Sequence, residues 1–186
     1  EAPLFLVFCV DFHRAKIASE MEGTPFEAVH HTDVLLVGAT DVGLAMGNVI
    51  AAAESLGLGI RPIGGLRKHP MEVIELLQLP EYVIPISGLC VGYPAEDPGL
   101  KPRLPQEAVH HREKYNPDMH SLIENYNREY EQYMMQQSGG SSRSNWTERV
   151  SGFYKDVHYS GNYKDVAKML KQQGFVCKDM QEEGDA

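Results

Sequence analysis

Cysteine is scarce in this chain of 186 residues. There are three, Cys9, Cys90 and Cys177, too few and too scattered for a disulfide framework. Each sits beside apolar neighbours, the pattern of a buried reduced thiol, which points to a cytoplasmic compartment. Positive charge is also in short supply. The 17 Lys and Arg against 26 Asp and Glu give a formal net charge of −9. Such a surface repels phosphate backbones and anionic lipid, so neither nucleic acid nor a membrane surface is expected as a general partner. Long apolar runs are missing too. The zone 34–59 is broken by Asp41, Asn48, Glu54 and five glycines, and lacks the run of about 20 apolar residues that a membrane span needs. No basic segment precedes the first apolar run, so no signal peptide is expected within the chain. The chain opens at Glu1, and Pro3 to Val10 already reads as a core strand, so a segment ahead of it is expected to be missing.

Several catalytic signatures are absent as well. His30-His31 and His110-His111 are adjacent pairs, whereas metal sites prefer His at i, i+4 or a spaced set with carboxylates or thiolates. Solvated or capping histidines are the expectation, with no metal. No Ser-His-Asp or Cys-His arrangement is supported by the periodicity, so no acid–base or nucleophilic catalytic residue is assigned. Asn145-Trp-Thr147 has the form of a glycosylation sequon, without a secretory context. The segment Asp33 to Gly43 resembles a strand feeding a phosphate loop, but its glycines are spaced G-x-x-x-x-G and no Lys-Ser or Lys-Thr follows. Small residues continue at helical spacing on both sides, so a core helix is predicted there instead.

What is present is globular: 42% hydrophobic and 23% charged residues exclude wholesale disorder. Strands are predicted at 4–10, 60–63 and 82–91. Helices are predicted at 11–20, 26–56, 70–77, 122–135, 146–155 and 163–173. The small residues of the long helix (Gly38, Gly43, Gly47, Ala51, Ala52) let another backbone approach, which suits a core or a subunit interface. Residues 1–178 are expected to form the domain and 179–186 a disordered acidic tail. Strands alternating with helices argue for an α+β or α/β class.

Two features stand out as chemistry. Ile63-Gly64-Gly65-Leu66-Arg67 lies between a strand and a helix, where two glycines expose backbone N–H groups to a flat ligand. Lys101-Pro102-Arg103 puts two cations in a proline-stiffened stretch of an acidic protein, an arrangement that suits an anion.

The blocks Ala52-Ala-Glu-Ser-Leu-Gly-Leu-Gly59, Ile63-Gly-Gly-Leu-Arg67 and Leu100-Lys-Pro-Arg-Leu-Pro105, in this order, resemble the FMN-dependent nitroreductase superfamily. Within it the match is to the NADPH-dependent flavin reductase and oxygen-insensitive nitroreductase branch. The resemblance runs from Leu4 to about Tyr115 and continues more weakly to Phe175. It implies an α+β fold, a central mixed sheet flanked by helices in an intertwined homodimer, with FMN at the subunit interface. It implies that Pro62, Ile63, Gly64 and Gly65 approach the flavin edge, and that Lys101, Pro102 and Arg103 hold its N1–O2 side or its phosphate. It further implies ping-pong chemistry: hydride from NADPH or NADH to FMN N5, then transfer to a small-molecule acceptor such as a nitroaromatic, a quinone or free flavin. The alternative is a flavin-binding or flavin-delivering module with little turnover. A short-chain-dehydrogenase reading lacks its Tyr-x-x-x-Lys helix, since Tyr159 to Lys164 has the wrong spacing. Branch members read the 2′-phosphate of NADPH with several loop arginines. Here the loop 138–144 offers Arg143 alone, which implies a weak preference for NADPH over NADH.

Overall fold

The computed structural model describes residues 2–97, 99–156 and 162–180. The chain folds as two compact units. One comprises residues 1–95 together with 163–186, and so is assembled from two stretches of chain; the other is residues 96–162.

The first unit is built on three strands, β1 (Leu4–Asp11), β2 (Gly59–Ile63) and β3 (Val83–Gly92), in the order β1-β3-β2. Both pairings are antiparallel, so among the described residues the expected mixed sheet is an antiparallel one. β3 is buried along most of its length because it is central and covered on both sides, and Leu89 is fully buried. The β1–β3 register slips by one residue: Phe8 faces Ser87 but Cys9 faces Pro85, a β-bulge that leaves Ile86 over.

Helices α1 (His13–Glu22), α2 (Asp33–Ser55), α3 (Pro70–Leu77) and α6 (Val166–Gln172) complete this unit. α3 begins and ends at the predicted residues, with proline at its first position, where the missing N–H costs nothing. α2 starts seven residues later than predicted. Glu27–His30 forms a 3-10 turn and His31 is extended, which interrupts the helix before Asp33. Val10, Val42, Ile84, Met169 and Phe175 form one core cluster, and Ala53, Leu89 and Val91 another.

The expected core helix is α2, and its glycines show why it is no phosphate loop. A Cβ on Gly38 would lie 2.7 Å from a Val10 methyl, so glycine is what lets α2 pack against β1. A Cβ on Gly43 or Gly47 would meet nothing within 4 Å. That open side also carries Leu36 and Leu44, both more than 60% exposed. By length and composition alone α2 could cross a membrane. Its buried residues Gly38, Val42 and Ala53 instead pack it on the sheet.

The C-terminal stretch returns to the start of β3. Gln173 is a buried polar residue, and its Nε2 donates to the carbonyls of Val83 (2.7 Å) and Pro80 (3.1 Å), while its own carbonyl accepts from the Tyr82 N–H (3.0 Å). Lys178–Met180, where the expected domain meets the expected acidic tail, forms a 3-10 turn. Asp179 there accepts hydrogen bonds from the Thr32 N–H (2.9 Å) and hydroxyl (3.0 Å), capping the approach to α2, and Lys178 pairs with Glu27. Residues 181–186 of that tail, and residues 159–161 of the Tyr159 to Lys164 segment, lie outside the described residues.

The second unit consists of an irregular stretch followed by α4 (His120–Gln137) and α5 (Trp146–Tyr154). Tyr126 and Tyr130 are its buried side chains, with the Trp146 ring 5.8 Å from that of Tyr126. The sequon residues have a structural task. Asn145 caps α5 by accepting from the Glu148 N–H (2.9 Å) while Glu148 reaches back to the Asn145 N–H, a complete capping box. Thr147 is tied to α4 through both polar atoms of the Asn127 amide.

Candidate functional site

The glycine turn is the first candidate. β2 ends at Ile63 against Gly88, where its pairing with β3 stops, and Gly65–Lys68 forms a 3-10 turn before α3. Gly64 has φ −78° and ψ −18°, an ordinary right-handed conformation, so glycine is not needed for backbone freedom there. What it contributes is bare surface. A Cβ on Gly65 would meet nothing within 4 Å, and one on Gly64 only the Arg67 guanidinium at 3.7 Å. As the first residues of this short helix, Gly64 and Gly65 have N–H groups without a partner inside it. Pro62 and Gly65 are exposed, Ile63 and Gly64 half-buried. The turn therefore presents uncovered main-chain donors on an accessible edge, and no acid–base side chain among these residues.

The second candidate lies in the other unit. Lys101 and Arg103 are both exposed, and among the described residues neither makes an ion pair. Their backbone is held. The Tyr126 hydroxyl donates to the Pro102 carbonyl at 3.2 Å, and burial, with Tyr130 beside it, pushes the Tyr126 phenol above its usual range, so it stays a donor. Lys101 Nζ sits 5.8 Å from the centroid of the Tyr130 ring. Arg103 folds back over its own backbone, with contacts of 3.4 Å to the carbonyls of Lys101 and Pro102. These are long, weak bonds that an anion can replace. Arg143 is exposed in the loop after α4. That loop is more ordered than its composition suggests: the Ser138 hydroxyl accepts from the Ser142 N–H (2.9 Å), and the Ser141 hydroxyl donates to the Ser138 carbonyl (2.8 Å).

The structure thus assigns Pro62, Ile63, Gly64 and Gly65 to one unit and Lys101, Pro102, Arg103 and Arg143 to the other. The first set offers neutral main-chain donors, and the second offers cations that make no ion pair among the described residues.

The remaining polar features are quieter. His110 and His111 line an open concavity of about 460 Å³ with Arg112 and Lys114, and the His111 ring lies 4.5 Å from that of Tyr115. Among the described residues no group of three or more His, Cys, Asp or Glu is placed to hold a metal ion. The three cysteines are free thiols. Burial, and then Asp11, push the Cys9 thiol up, which keeps it protonated and a poor nucleophile. The spacing of residues gave no warning of the Arg67–Ile86 contact or of the Asp179 cap, since both join distant stretches of chain.

Comparison with known proteins joins these observations. The family model described as the nitroreductase family matches residues 2–93, and that for the family's C-terminal domain matches 101–178. An FMN reductase [NAD(P)H] of Bacillus subtilis is 45% identical over 178 residues, covering 94% of this chain and 70% of its own. An oxygen-insensitive NADPH nitroreductase of Salmonella typhimurium is 38% identical, covering 96% and 70%. The structure of NfrA2 from B. megaterium superposes with a TM-score of 0.89 at 52% identity, covering 94% of this chain and 69% of that one. The NADPH:FMN oxidoreductase of Vibrio harveyi, solved in complex with NAD+, gives a TM-score of 0.74 at 32% identity over 92% and 67%. With both family models matched and most of each relative spanned, the chain belongs to the nitroreductase family, in its NADPH-dependent flavin reductase and nitroreductase branch.

Proposed function

We infer that this chain acts as an FMN-dependent NAD(P)H oxidoreductase that reduces small acceptors, nitroaromatics and free flavin among them. The names of its relatives support this, and the observation that carries it to particular residues is the uncovered backbone at Gly64 and Gly65. The chemistry that FMN supplies when bound is the carriage of two electrons from a reduced nicotinamide to a second substrate. This chain's part is binding and electrostatics. Ile63, Gly64 and Gly65, with Pro62 beside them, offer main-chain donors to a ring edge at no cost in side-chain entropy. Lys101 and Arg103, on the segment anchored by Pro102, offer positive charge to the N1–O2 side or to the phosphate. A cation there also favours added negative charge on the ring. No proton-transferring side chain is needed for that work, and none is assigned.

The reading extends to assembly and compartment. A homodimer is supported by the apolar, small-residue side of α2, where Leu36 and Leu44 are exposed and a Cβ on Gly43 or Gly47 would meet nothing among the described residues. Light scattering on the eluting protein should give about twice the 20.8 kDa of one chain. Free thiols support a cytoplasmic setting.

The test of function is direct. The full chain, titrated with FMN, should acquire a flavin absorbance band that survives gel filtration, and should then oxidise NADPH or NADH when given a nitroaromatic. A protein that remains colourless after incubation with excess FMN would sink the reading.

A further inference from the structure

Arg67 closes the glycine turn in a way the sequence does not announce. Its side chain doubles back over Gly64, and its guanidinium donates a hydrogen bond to the Ile86 carbonyl of β3. Ile86 is the residue that the bulge leaves over, because Phe8 pairs with Ser87 and Cys9 with Pro85. On the other side of β3, the pairing with β2 runs no further than Ile63 against Gly88. A half-buried carbonyl is costly unless a donor finds it. Arg67 is that donor. It also lies over the ring of Tyr163, 5.7 Å from the centroid, on the chain stretch that returns to this unit. One guanidinium therefore joins the glycine turn, the bulge of the central strand and the C-terminal stretch.

We propose that Arg67 is a positioning residue for the cofactor. Pinned by the Ile86 carbonyl and the Tyr163 ring, it fixes where the Gly64 and Gly65 N–H groups stand, and so how the flavin edge meets them. This rests on the reading of Gly64 and Gly65 as the flavin contact. A planar fork is what the geometry requires, since it donates in its plane while its face stays free for the ring. The ammonium of lysine is a point charge on a flexible stem and lacks that fixed planar geometry.

The experiment compares the full chain loaded with FMN against Arg67→Lys, Arg67→Ala, Tyr163→Leu and Lys68→Ala. The last removes the neighbouring exposed charge and serves as the control. In the two Arg67 variants kcat should fall by about tenfold or more, as expected for loss of a charged hydrogen bond, with the nicotinamide KM held within about twofold. Their visible flavin band should also move. Tyr163→Leu should go the same way by less, and Lys68→Ala should match the parent. If Arg67→Ala does not fold, Arg67→Lys and Tyr163→Leu decide. An Arg67→Lys variant with the parent's kcat and flavin band, whether or not its melting temperature drops, would overturn the proposal. A parent protein that takes up no FMN overturns the glycine-turn reading instead, which keeps the two failures apart.

Discussion

The two units present different things to a ligand. The unit built on the sheet presents bare main chain at Gly64 and Gly65; the helical unit presents exposed charge at Lys101, Arg103 and Arg143. Short of proline, no substitution deletes a main-chain donor. A side chain can cover one, so the first unit is damaged by adding atoms. Charges are lost by truncation, so the second is damaged by removing them. The difference teaches which kind of variant is informative in each place.

The largest effect is expected where an added side chain has no room. A Cβ on Gly88 would lie 2.3 Å from the Phe5 ring in the middle of the sheet. Gly88→Val should destabilise the protein by about 1–3 kcal/mol through overpacking, seen as a melting temperature lower by roughly 2–4 °C per kcal/mol. A variant as stable as the parent would show that the ring moves aside freely. Gly65→Val sharpens the contrast, because the space there is open. Its melting temperature should stay close to the parent's while FMN affinity falls by about tenfold or more, as the branched side chain covers the donors. Loss of folding and binding together would break the distinction.

In the helical unit, Arg103→Ala should weaken FMN binding by about 1.5–3 kcal/mol if Arg103 meets the phosphate, and Arg143→Ala by much less. Equal losses would count against that assignment. Arg143 should matter for the nicotinamide instead. A single exposed contact supplies about 1.4 kcal/mol at most, so the kcat/KM ratio of NADPH to NADH should be on the order of 10 or less and should approach unity in Arg143→Ala. A thousandfold preference that survives the substitution would place the 2′-phosphate elsewhere.

The smallest effect concerns Asp179. Partial desolvation acts to raise its pKa, but the Thr32 N–H and hydroxyl, with His31 nearby, outweigh it and hold the carboxyl below its usual value. A depressed carboxylate stabilises the fold above its unfolded pKa and ceases to do so as pH falls through the folded one. Asp179→Asn should therefore lower the melting temperature slightly at neutral pH, and the gap from the parent should close below about pH 4. A gap that persists at lower pH would mean that the carboxylate charge is not what matters.

Much of the molecule was legible from local pattern. Proline at Pro70 and apolar spacing marked α3 at both ends, and the apolar run marked β3. The small residues of α2 announced close approach, which Gly38 makes against Val10. The order of short blocks pointed to the family, and so to FMN and a nicotinamide. What stayed hidden depends on register and on distant partners. A one-residue slip opposite Ile86 leaves no mark on strand periodicity, so the role of Arg67 could not be read from the Gly-Gly-Leu-Arg block. Thr32 and Asp179 meet across 147 positions, where no helical or strand repeat connects them. The late start of α2 turned on the 3-10 turn at Glu27–His30, whose residues are compatible with either helix.

The return of Gln173 to the carbonyls of Pro80 and Val83 sets a timetable for biosynthesis. Strand β3 leaves the ribosome early, but the glutamine that completes the hydrogen bonding at its start follows only after residues 96–162 have been made. At about 5–20 residues per second, the nascent sheet waits several seconds with that end open. During that interval it is a natural client for a chaperone at the tunnel exit, and a stop codon anywhere before Gln173 would leave it permanently in that state.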